Sequence, residues 1–112
     1  MLLELREEQD LTLFLERSQK NPVVLFKHST QCSRSAVSYD ELETFMSRNP
    51  DVLCGMVLVI EDRALSDALE DQFGIQHESP QAVVISRGNP VWHAHHSRVT
   101  ARALEEAIAA QN

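Results

Sequence analysis

VVLFKHSTQCSRSAVSYDELETFMSRNP, residues 23–50, holds the pattern that decides the fold. Residues 23–28 begin as an apolar run, Val23-Val24-Leu25-Phe26, that reads as a short buried strand. A polar stretch around Cys32 follows. Residues 33–48 then carry Val37, Leu42, Phe45 and Met46 on one helical face, and Asn49-Pro50 stops that helix. The unit is therefore a strand, a thiol and a helix in immediate succession.

The same signals continue on both sides. Upstream, Leu11, Phe14, Leu15 and Ser18 follow i, i+3, i+4, i+7 spacing, which predicts a helix over residues 8–20, ended by Asn21-Pro22. Downstream, VLCGMVLVI at 52–60 is continuous enough for a central strand buried on both faces. Asp62 is placed to cap a third helix with Leu65, Ala68, Leu69 and Phe73 inward, and Gly74 to close it. QAVVIS at 81–86 predicts a strand, and Gly88-Asn89 a hairpin turn into a strand from Val91 to His95. A last helix is expected from Thr100 to Ala110, with Ala103, Leu104, Ala107 and Ile108 inward.

The predicted order is α, β, α, β, α, β, β, α. A helical crossover makes the first two strands parallel and right-handed. The last two form an antiparallel hairpin. One mixed four-stranded sheet flanked by helices satisfies this order, an α/β thioredoxin-like arrangement. The 112 residues suit one domain, 1–112, with no repeat or linker.

Composition narrows the function classes. A net charge of -7 argues against nucleic acid as a partner, because phosphate recognition needs a basic face. No apolar run approaches the roughly 20 residues of a membrane helix, so no membrane partner is expected. The N-terminal MLLELREEQD lacks the basic region of a signal peptide, so the expected location is cytoplasmic. There the two cysteines, Cys32 and Cys54, are not expected to pair.

Cys32 falls at the start of a helix, where first-turn N–H groups lack intrahelical partners and the macrodipole is positive. Both favour a thiolate, the attacking species in disulfide exchange. Lys27, His28 and Arg34 would add positive potential if they point toward the sulfur. A cysteine that merely packs would rarely have Thr30, Gln31, Ser33, Arg34 and Ser35 as company. Cys54, among Val52, Met56 and Leu58, reads as that packing cysteine. Ser35 stands where a Cys-x-x-Cys motif has its second thiol. It cannot resolve a mixed disulfide. Its hydroxyl is free to bond the thiolate or to cap the helix.

HESPQAVVI, residues 77–85, carries the second signal. Taken alone, Pro80 is a trans proline opening a strand. In thioredoxin-like proteins a cis-proline lies beside the active cysteine and leaves the preceding backbone free to pair with substrate.

FKHSTQCSRS, EDRALSDALEDQFGIQHESPQAVVI and VWHAHHSRVTARAL, in that order, resemble the monothiol bacilliredoxin family of the thioredoxin superfamily. The resemblance covers nearly the whole chain. It implies that Cys32 is the nucleophile of a thiol–disulfide oxidoreductase. The implied co-substrate is bacillithiol, a low-molecular-weight thiol, taken from mixed disulfides on bacillithiolated client proteins. Ser79 and Pro80 map onto the substrate-side loop, Ser35 onto the serine that closes the motif. The implied thiol-binding set is Thr30, Gln31, Ser33, Arg34, Ser35, Ser79 and Pro80. Where the family commonly has Thr-Cys-Pro-Ile-Ser, this chain has Gln31-Cys32-Ser33-Arg34-Ser35. The missing proline removes a preset φ and adds an N–H donor near the sulfur.

Two other readings use the same residues. A glutaredoxin-like adaptor would employ Cys32 to hold an iron–sulfur cluster or to sense redox state. In HAHH, His93 and His95 share a strand face, and His77 would complete a set. No carboxylate or thiolate is placed by sequence to join them, so no bound metal is expected. With three glycines in the chain, phosphate-cradling loops are not expected.

Overall fold

A computed structural model describes residues 1–111. Five strands form one sheet in the order β1-β3-β2-β4-β5. They are β1 (Leu2–Glu4), β2 (Val23–His28), β3 (Cys54–Leu58), β4 (Gln81–Ser86) and β5 (Asn89–His95). The helices are α1 (Glu8–Arg17), α2 (Ser33–Arg48), α3 (Arg63–Phe73) and α4 (Ala101–Ala109), with a 3-10 turn at His96–Arg98. β1, β3 and β2 run parallel, and β4 and β5 are antiparallel to their neighbours.

The expected four-stranded sheet is thus corrected to five. β1 adds an edge strand whose Leu2, Leu3 and Glu4 pair with Cys54, Gly55 and Met56. Three residues are too few to display strand alternation, so only the docking against β3 makes them a strand. The mixed α/β class stands.

The sheet separates two cores. Val24, Phe26, Met56 and Val84 pack with Leu42 and Phe45 of α2 and Leu104 of α4. On the other face Val23, Leu25, Val57 and Val83 pack with Phe14 of α1 and Leu65 and Leu69 of α3. Period-2 alternation along β2 sends consecutive apolar residues to opposite cores, which is why its sequence reads as a continuous run.

Two details differ from sequence expectation. The hairpin turn is Arg87-Gly88, not Gly88-Asn89: both residues have positive φ, 54 and 78, as a two-residue turn of this hand requires. Ser18 clamps it, accepting the Arg87 N–H on its carbonyl at 2.7 Å and the Gly88 N–H on its hydroxyl at 2.9 Å. In α2, Val37 is 66% exposed rather than inward. The buried stripe is Ser35, Ser38, Leu42 and Phe45, and Val37 points about a third of a turn away from its centre.

Candidate functional site

The β2–α2 junction ends at the carboxyl edge of the central strand. Cys32 is the N-cap of α2 in extended conformation, with φ -121 and ψ 121. Its carbonyl accepts the N–H groups of Ser35 at 3.1 Å and Ala36 at 3.4 Å, which starts the helix. Its side chain makes no capping hydrogen bond and is partly exposed. The first-turn N–H groups of Ser33 and Arg34 therefore remain available to a negative sulfur.

Ser35 is fully buried. Its hydroxyl accepts the Ser29 N–H at 3.0 Å and lies 2.8 Å from Nδ1 of His28. Of the two roles left open by sequence, neither is the one found: Ser35 ties the strand end to the helix start. Burial holds the His28 pKa below its ordinary value, with Glu61 opposing. The His28 ring also packs against both Phe26 and Tyr39, at centroid distances of 5.7 and 5.2 Å.

Lys27 does not point toward Cys32. Alternation along β2 turns it to the opposite face, where it is buried. Its Nζ donates to the Ser66 carbonyl at 3.2 Å and meets Nδ1 of His77 at 3.2 Å. Burial lowers the Lys27 pKa, against the pull of Glu70 and Asp67. His77 is likewise lowered, chiefly by burial and then by the Lys27 charge. Its N–H donates to the Glu70 carboxylate at 2.8 Å, which fixes the loop leading to β4. Of the three cationic candidates only Arg34 stays on the exposed side near the thiol. It lines a groove of about 280 Å³ with Val37, Ser38, His96 and Ser97.

β4 brings in the second sequence signal. Lys27 pairs with Gln81, so the next residue back, Pro80, stands opposite His28 at the mouth of the junction. The Ser79–Pro80 peptide is cis. Pro80 is buried, and the Ser79 hydroxyl is buried without a hydrogen-bond partner among the described residues. Thr30, Gln31, Ser33 and Arg34 are exposed around Cys32. The structure therefore gathers the expected set at one edge, with Ser35 beneath it rather than facing solvent.

Cys54 lies at the other end of the sheet. It pairs with Val24, whereas Leu58 pairs with His28. Those four residues of strand span about 13 Å. A disulfide needs Cα atoms within about 7 Å, so Cys54 cannot reach Cys32 in this fold. It is fully buried, and burial pushes its thiol up to about 12.

One cluster escaped sequence reasoning. Glu78, His95 and His96 present ligand atoms within 4.8 Å of one another. His93 does not join them, and His77 is engaged with Lys27 on the buried side. Glu78 is remote in sequence from the histidines, so no local spacing signals it. A larger cleft of about 640 Å³, lined by Leu5, Leu13, Phe14 and Arg17 among others, lies between β1 and α1 and holds no thiol. Among the described residues no helix is long and apolar enough to cross a membrane.

Comparison with known proteins agrees with this geometry. The family model of the monothiol bacilliredoxin BrxC matches residues 3–104. A solved protein of thioredoxin fold, described only provisionally as an oxidoreductase, is 28% identical with a TM-score of 0.87, over 95% of this chain and 92% of its own. Thioredoxin from Fasciola hepatica superposes with a TM-score of 0.77 at 16% identity, over 98% and 99% of the two chains. Thioredoxin from Trypanosoma brucei brucei gives 0.80 at 10% identity, over 99% and 90%. These last two likenesses show the fold alone.

Proposed function

This chain belongs to the monothiol bacilliredoxin family, and we propose that its thiol–disulfide redox chemistry is the removal of bacillithiol from client proteins through Cys32. The Cys32 thiolate attacks the bacillithiol sulfur of a client mixed disulfide. The client–bacillithiol S–S bond breaks, and the client leaves as a thiolate that takes a proton from solvent. A new S–S bond joins bacillithiol to Cys32. A second small thiol then attacks that adduct, forms a disulfide with the released bacillithiol, and returns Cys32 to its thiolate. No electron is supplied by the protein beyond those of its sulfur.

The observation that carries this reading is the isolation of Cys32. It is a partly exposed thiol at a helix start, Ser35 is committed to Ser29 and His28, and Cys54 is a strand length away. An adduct on Cys32 therefore has no internal thiol to resolve it. The unpartnered Ser79 hydroxyl and the exposed Thr30, Gln31, Ser33 and Arg34 are the polar groups offered to the small thiol. Arg34 is the one cation among them, suited to a carboxylate on that thiol.

The test is intact mass of the reduced protein after brief incubation with a bacillithiol-modified client, beside a glutathione-modified one. Transfer of the bacillithiol adduct to Cys32, with the client falling to its free-thiol mass, is the expected result. Cys32→Ser abolishes transfer and Cys54→Ser retains most of it. Preference for glutathione would keep the exchange and change the thiol. No transfer from either would overturn the reading.

A further inference from the structure

We propose that Glu78, His95 and His96 form a binding site for a divalent transition-metal ion, which would staple the loop before β4 to the end of β5. His95 closes β5 and its side chain lies on the exposed face. The next residue, His96, adopts φ 53, a left-handed conformation uncommon for a residue with a side chain. Its backbone is pinned on both sides: its N–H donates to the Pro80 carbonyl at 3.0 Å, and its carbonyl accepts the Ser38 hydroxyl at 3.1 Å. That reversal ends the strand alternation. Two consecutive histidines, which a strand would send to opposite faces, instead point their rings at each other.

The rings meet edge to face, with centroids 5.2 Å apart and planes at 90°. Their Nδ1 atoms are 3.0 Å apart. Two nitrogens bound to one zinc-like ion at about 2.0–2.1 Å, in tetrahedral geometry, stand roughly 3.4 Å from each other. The pair is thus within a few tenths of an ångström of a chelating arrangement. Glu78 brings a carboxylate oxygen within 4.8 Å of a ring nitrogen of each histidine, a gap that rotation of its side chain can close. Two imidazoles and one carboxylate are the donor set of open zinc sites, with a fourth position left for water or an incoming ligand. The N/O composition selects a borderline transition ion over calcium or magnesium, whose ligands are all oxygen.

The location gives the ion a consequence. Glu78 directly precedes Ser79 and Pro80, and His96 is already bonded to Pro80. A bound ion would tie down both ends of this segment, beside the exposed rim around Cys32.

The test is cobalt titration of the reduced full-length chain, in wild type and in Cys32→Ser, followed by zinc competition against a chromophoric chelator. The expected result is one equivalent bound, with visible ligand-field bands and no thiolate charge-transfer band, unchanged in Cys32→Ser. His95→Ala and Glu78→Gln each weaken binding by more than about tenfold, the scale on which even outer-shell partners act. His96→Asn does the same while tolerating the left-handed backbone. His93→Ala, one face-mate along β5, leaves affinity unchanged. A cobalt spectrum dominated by thiolate and lost in Cys32→Ser would overturn the proposal. So would undiminished affinity in His95→Ala, equal loss in His93→Ala, or no binding by the wild type.

Discussion

Ser35→Ala removes one oxygen from the base of the thiol site, and its cost can be worked out. The hydroxyl accepts the Ser29 N–H at 3.0 Å and meets His28 Nδ1 at 2.8 Å, at a position with no solvent access. Ser29 is itself buried, so its N–H is left without an acceptor. An unsatisfied buried donor costs about 1–3 kcal/mol. His28 is only partly buried and recovers some of its loss from water, so its bond adds roughly 1 kcal/mol. The expected destabilisation is about 2–4 kcal/mol, a large share of the 5–15 kcal/mol typical of a domain. Urea unfolding should show a lower midpoint at unchanged slope. Thermal unfolding should fall by about 10 °C. A loss below about 0.5 kcal/mol would refute the reasoning: it would mean that water reaches the Ser29 N–H and that Ser35 does not hold the junction.

Other outcomes follow from the same geometry. A Cβ on Gly55 would lie 2.8 Å from Phe14 Cε1 and 2.9 Å from Leu5 Cδ1, so Gly55→Ala should destabilise by about 1–3 kcal/mol through overpacking, read by urea unfolding. His28 and His77 both have pKa values lowered below 6.5, chiefly by burial. The unfolded chain therefore binds more protons between their folded values and 6.5, so stability is present above 6.5 and lost as pH falls below it. Denaturation midpoints that stay flat from pH 7.5 to about 5.5 would contradict this. Iodoacetamide at pH 8 should label Cys32 and spare Cys54, whose thiol is buried and pushed up to about 12, until the protein is unfolded. Comparable labelling rates by mass spectrometry would count against the buried placement.

The residues around Cys32 illustrate how far local sequence reaches. The α2 helix, the β2 strand and the thiol between them follow from short-range periodicity and a polar interruption, both written in neighbouring residues. Val37 shows the limit. Its spacing from Leu42 and Phe45 is close enough to suggest a shared face, yet the true stripe runs through two serines. Those serines are buried because each has a distant or cross-junction partner, Ser38 with His96 and Ser35 with Ser29 and His28. Hydropathy does not register polar residues that bury by pairing.

What the sequence determined alone was the order of the main elements, the mixed α/β class, the position of Cys32 at a helix start and the lack of a nearby second thiol. Each depends on contacts within a few residues. Tertiary structure alone decided the fifth strand, the inward turn of Lys27, the one-strand separation of Cys54 from the thiol edge, and the meeting of Glu78 with His95 and His96. These depend on strand register and on a single left-handed residue. A shift of one position sends a side chain to the opposite face of the sheet, and only the packed sheet selects the register.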